Sequence, residues 1–96
     1  PTRRSSDLKM IVIRDVAPAA PVHVLMIPKA HTENIITAEP ELLLYMLGKV
    51  KELAEKLGVN EKGFRIVANT GDDGGQTVKH LHIHLLGGKA LGWPPC

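Results

Sequence analysis

The segment Lys79-His80-Leu81-His82-Ile83-His84-Leu85-Leu86 places three of the chain's five histidines at every second position, with an apolar residue between each pair. Side chains alternate between faces along a β-strand, so a period of two belongs to a strand and not to a helix. Lys79–Leu86 is therefore expected to be a strand with imidazoles on one face and Leu81, Ile83 and Leu85 on the other. Polar rings buried without partners are costly, so a face lined with imidazoles reads as a site. Three uses fit it: Zn²⁺ chelation by histidines at i and i+2, nucleophilic attack by neutral imidazole, or a plain solvent-facing strand. One ion cannot take all three rings. His80 and His84 would lie roughly 13 Å apart at about 3.3 Å per residue, against ligand bonds of about 2.0–2.1 Å.

The stretch leading into that strand is Asn69-Thr70-Gly71-Asp72-Asp73-Gly74-Gly75-Gln76-Thr77. Glycines permit positive φ and let backbone N–H groups approach an anion, while Gln76 and Thr77 add neutral donors. Gly-Asp-Asp-Gly-Gly is also an ordinary turn. Ahead of aligned imidazoles it is read as a phosphate-binding loop.

Gly-Gly-Gln-Thr-Val-Lys-His-Leu-His-Ile-His-Leu-Leu-Gly-Gly (Gly74–Gly88) resembles the signature of the histidine triad nucleotide-binding proteins, His-φ-His-φ-His-φ-φ with φ apolar. Further blocks fit in order: Arg14-Asp15-Val16-Ala17-Pro18, Ala20–Lys29, Phe64–Asn69 and the tail Leu91-Gly92-Trp93-Pro94-Pro95. Together they resemble the Hint branch, small purine nucleoside phosphoramidases, over about residues 10–95. One departure is Thr77, where many members carry Ser; the hydroxyl is kept.

Composition agrees with a small single domain. Ninety-six residues support a modest core. Twelve basic against ten acidic residues leave no polybasic footprint for nucleic acid. The single cysteine, Cys96, excludes an internal disulfide framework and fits a reducing compartment. No apolar stretch has the length of a membrane span or a signal-peptide core. The expected location is cytoplasmic, or a mitochondrion or plastid if a targeting peptide was lost with the N-terminus.

Pro1-Thr2-Arg3-Arg4-Ser5-Ser6-Asp7-Leu8 matches the translation of a widely used sequencing adapter, and residues 1–8 are expected to be an artefactual leader. Residues 9–96 are expected to be one domain of the resembled family, lacking its N-terminal helix and first strand. Strands are expected at Met10–Asp15, Val22–Ile27, Gly63–Asn69 and Lys79–Leu86, with Thr32–Glu39 as a connector. A helix follows, with Pro40 in its first turn, Glu39 and Glu41 near its positive end and Lys56 near its negative end. Leu43, Met46, Leu47, Val50, Leu53, Ala54 and Leu57 form one apolar stripe, and Gly58 stops the helix. The fold class is α+β: an antiparallel sheet, with four of the family's usual five strands, covered by one main helix.

The resemblance implies roles for individual residues. His82 is the nucleophile, attacking the α-phosphorus to form a nucleotidyl-histidine, with its ring oriented by a main-chain carbonyl. His84 and Thr77 contact the phosphate and help the amine leave. His80 and His23 belong to a supporting histidine network. Asp15 accepts from both ribose hydroxyls, Val16 packs beside the nucleoside, and Asn69, Gly75 and Gln76 hold ribose and phosphate. Trp93 sets leaving-group preference across a homodimer interface. No cofactor and no metal are implied. Read without the family, Asp15 could instead cap a turn into Ala-Pro, Asn69 could end a strand, and His23 could be a satisfied core histidine. His31 has no match and reads as a surface residue. Two other activities stay open: hydrolysis of dinucleoside polyphosphates, and a non-catalytic nucleotide-dependent interaction or scaffold module.

Overall fold

Which face each strand residue takes is settled by register. In the computed structural model, which describes residues 4–95, the elements are β1 (Arg4–Ser6), β2 (Met10–Arg14), β3 (Val22–Pro28), α1 (Pro40–Gly48), α2 (Val50–Leu57), β4 (Phe64–Val67) and β5 (Ile83–Gly87). They form one antiparallel sheet in the order β1-β2-β3-β5-β4. Directly paired residues share a face. Val24 opposes Leu85 and Met26 opposes Ile83, and these four face the helices. Leu25 opposes His84 and His23 opposes Leu86 on the other face. Core and site are thus the two sides of one pair of strands.

The four expected strands are all present. A fifth, β1, lies inside the expected leader and pairs with β2 from Arg4 opposite Ile13 to Ser6 opposite Ile11. The outer edge of β2 exposes a row of backbone N–H and C=O groups. The β1 backbone pairs with that edge.

The helical layer differs from a single straight stripe. It consists of two segments meeting at Lys49, whose backbone (φ −88°, ψ −9°) caps one and opens the other. Gly48 immediately precedes the joint, and glycine is a poor helix former because of its backbone freedom. Met46 and Ala54 are fully buried, and Leu43, Val50, Leu53 and Leu57 are half-buried. Leu47 was expected in the same stripe but is exposed. It is displaced around the helix by one residue from Met46, which points into the core centre. Gly58 ends α2 in the left-handed conformation (φ 74°), as its position after the apolar stripe requires.

Met10, Met26, Met46, Leu81 and Ile83 form one core cluster, and Val24, Ala54, Val59 and Leu85 a second. Burying each large aliphatic side chain contributes about 1.5–3 kcal/mol. Among the described residues no helix is long and apolar enough to cross a membrane.

The histidine segment is less regular than its alternation suggests. The ladder of β5 begins only at Ile83, although Leu81 is buried and His80 and His82 keep the alternating pattern outside it. Continuing the β3 register would set Leu81 against Pro28, which has no N–H to donate. The Leu81 N–H turns instead to the Thr32 carbonyl at 2.7 Å.

Candidate active site

His82 and His84 lie on the face opposite the helices, with ring centroids 5.2 Å apart. His82 Nδ1 is 2.8 Å from the His80 carbonyl. A carbonyl only accepts, so Nδ1 carries the proton and the lone pair of the neutral ring sits on Nε2. That is the nitrogen a nucleophilic imidazole needs.

His84 is held differently. Its Nδ1 lies 2.9 Å from His23 Nε2. The Ala19 N–H donates to His23 Nδ1 at 3.0 Å, which places the neutral His23 proton on Nε2. His23 therefore donates to His84 Nδ1, and His84 carries its own proton on Nε2. The two outward nitrogens differ in character: His82 Nε2 is a lone pair and His84 Nε2 a donor. Burial is the main cause that lowers the His84 pKa from its ordinary 6.5, followed by the neighbouring His82 and His23, with Asp15 opposing. The charged form of His84 is thereby disfavoured.

Asp15 completes this corner. One carboxylate oxygen accepts the Ala17 N–H at 2.8 Å, and the other lies 3.4 Å from His23 Nε2. Capping of the turn into Ala-Pro and membership of the histidine cluster therefore coexist in one side chain. The turn covers His23, which is 9% exposed and fully hydrogen-bonded. Ligand atoms of Asp15, His23 and His84 lie within 4.8 Å of one another, close enough in principle for a cation. The donor set does not suit one. An ion on His23 Nε2 would force that ring's proton onto Nδ1, against the Ala19 N–H. These residues read as a hydrogen-bonded chain.

The glycine loop is closed on itself. Gly75 N–H donates to Asp72 O and Gln76 N–H to Gly71 O, both at 3.0 Å. Gly75 has φ 76°, and a Cβ on Gly74 would collide with the backbone of Thr70. The Gln76 side chain accepts from the Gly71 N–H and from Asn34 Nδ2, and donates to Glu33 O and Val78 O. Asn69 Nδ2 donates to Gly74 O at 2.7 Å. Asn69 and Gln76 thus shape the loop with their side chains. Thr77, at its end, is exposed.

Val16 is 93% exposed beside Asp15. Arg65, opposite Leu86 and so on the histidine face, donates to Gly92 O at 2.8 Å, and its guanidinium lies 6.0 Å from the ring of Trp93. Trp93 itself is 80% exposed. His80 is tied to the end of β3 and the connector after it: its Nε2 is 2.9 Å from Pro28 O and its Nδ1 3.0 Å from His31 Nδ1. His31, expected to be a plain surface residue, is thus tied into the histidine network. An isolated histidine on a connector has no periodicity to betray it.

A family model described as the HIT domain matches residues 5–91. An uncharacterised HIT-like protein of Synechococcus elongatus is 56% identical over 88 residues, covering 88% of this chain and 76% of that protein. One of Chlamydia trachomatis is 52% identical over 89 residues, covering 90% and 79%. Among solved structures, a HIT family hydrolase from Legionella pneumophila superposes with a TM-score of 0.93 at 41% identity, covering 100% of this chain and 89% of that one. A histidine triad nucleotide-binding protein from Candida albicans gives 0.81 at 30% identity, covering 98% and 75%.

Proposed function

The chain belongs to the HIT domain family, and on that premise we propose that it is a nucleotide-binding hydrolase of the Hint branch, cleaving the P–N bond of purine nucleoside 5′-phosphoramidates. The observation that carries the reading is the paired tautomers: His82 Nε2 offers a lone pair while His84 Nε2 offers a proton on the same face. His82 Nε2 attacks the α-phosphorus, a phosphorus–imidazole bond forms, and the bond to the amine breaks as that nitrogen takes a proton from solvent, which is returned when the water of the second step loses one. Water then attacks the phosphorus, the His82–phosphorus bond breaks and the nucleoside monophosphate leaves. A positioned general acid contributes about 10²–10⁴-fold to such a departure. His84 and the Thr77 hydroxyl supply donors to the phosphoryl oxygens and leaving group.

Asp15 takes the ribose hydroxyls through the oxygen not spent on its turn, and exposed Val16 offers apolar surface to the nucleoside. Asn69, Gly75 and Gln76 hold ribose and phosphate by shaping the loop edge. The protein works as a homodimer in which Trp93 serves the partner's site. Exposed Phe64 and Ile66 on edge strand β4, and the outward Trp93 itself, support an interface there.

The test is turnover of adenosine 5′-monophosphoramidate by the wild type and by His82→Asn. We expect the variant to lose at least about 10⁴-fold in kcat while melting at nearly the wild-type temperature, and mass spectrometry of quenched wild type to find a nucleotidyl adduct on His82. Retained activity, or an adduct elsewhere, would remove the mechanism. Nucleotide binding without turnover by the wild type would favour the scaffold reading.

A further inference from the structure

We propose that His31 is a positioning residue for the reaction: through His80 it holds the peptide unit that fixes His82 in its nucleophilic tautomer. The inference rests on the reading of His82 as nucleophile.

The His80–Leu81 peptide lies outside the β5 ladder, so sheet pairing does not hold it. It is held instead by the last residue of β3 and the segment that follows. Three contacts run from that stretch: Pro28 O accepts from His80 Nε2, the His31 ring meets His80 Nδ1, and Thr32 O accepts from the Leu81 N–H. The other side of the same peptide unit, the His80 carbonyl, accepts from His82 Nδ1. One peptide plane thus takes support from the connector on its N–H side and sets the His82 proton on its C=O side.

Tautomer logic assigns the direction. Because His80 Nε2 donates to a carbonyl, neutral His80 has its lone pair on Nδ1. The His31 contact is then a donation from His31 Nδ1–H to His80 Nδ1. Without that donor, His80 Nδ1 must find water, and the ring loses one of its two anchors. The His82 carbonyl partner then shifts, and the Nδ1–H tautomer is no longer favoured over the Nε2–H form, which cannot attack. His31 is exposed, so its removal tests positioning with little change to the core.

Two variants separate positioning from mere structure. His31→Ala removes the donor; in His31→Asn the amide nitrogen takes the place of Nδ1 and can still donate. In ¹⁵N-imidazole spectra of the resting protein, wild-type His82 should appear as the Nδ1–H tautomer alone. In His31→Ala it should become a mixture, with single-turnover transfer slowed on the order of tenfold and KM changed less than about twofold. His31→Asn should return both the tautomer and most of the rate. An unchanged His82 tautomer in His31→Ala overturns the proposal, as does a shifted tautomer with unchanged transfer. Equal impairment of Ala and Asn variants also overturns it, since a lost donor would then not be the cause. The tautomer readout needs no substrate. If the wild type fails to cleave phosphoramidates, the function proposed above falls, while His31's hold on His82 is still decided.

Discussion

At the scale of residues, protonation does most of the work. His84 has a pKa below 6.5 when folded, chiefly through burial, so below pH 6.5 the unfolded chain binds the proton more readily than the folded one. Its contribution to stability is present above pH 6.5 and is lost as pH falls through the lowered folded value. NMR titration of His84 should give a pKa below 6.5, and chemical denaturation should show stability declining below pH 6.5. In His84→Gln that decline should shrink; an unchanged decline would place its origin elsewhere. The imidazole face and its parity were readable from the spacing of His80, His82 and His84 alone. Asp15 and His23 became candidates only through the family's motif, since a lone carboxylate before Ala-Pro and a lone histidine in an apolar strand each have ordinary uses. His31 was unreadable because its partner, His80, lies far away in sequence and the link depends on how the connector folds back. The side chains of Asn69 and Gln76 were placed in the right loop, but composition cannot tell whether an amide turns toward a ligand or toward its own backbone.

At the scale of elements, strands were legible from β-branched runs and the helical layer from its apolar spacing, while joints and ends were not. The break at Lys49 follows from Gly48, a cue easily outweighed in sequence by the apolar stripe on either side. Gly48 has open space where a Cβ would go and no positive φ. Gly48→Ala should therefore stabilise the protein by about 0.5–1 kcal/mol, a rise of roughly 3–6 °C in melting temperature. Calorimetry decides; a fall would mean the break is required for helix packing. The late start of β5 is likewise a tertiary effect. Pro28 denies Leu81 its ladder partner, and nothing within Lys79–Leu86 announces that.

At the scale of the whole molecule, one face of the sheet packs against helices along β3 and β5 and the other carries the chemistry, while at edge strand β4 Phe64 and Ile66, on the helix-facing side by register, stay partly exposed. A second copy seated on that edge would cover them. Light scattering after size exclusion should give twice the chain mass for the wild type and a value near one chain mass for Ile66→Asp. The same mass for both would move the interface elsewhere. The α+β class and its antiparallel sheet were within reach of pattern and family, whereas β1 was not: Arg4–Ser6 lies within the expected leader and yet pairs with the edge of β2. One feature of this architecture bears on how such a chain can change over generations. Leu81, Ile83 and Leu85 fill the core, while His80, His82 and His84 build the site, from the same six residues read in opposite phase. Inserting or deleting one residue among them would turn the imidazoles into the core and the aliphatics out to the substrate. The segment can diverge by substitution only, and gains or losses of length are left to the connections between elements.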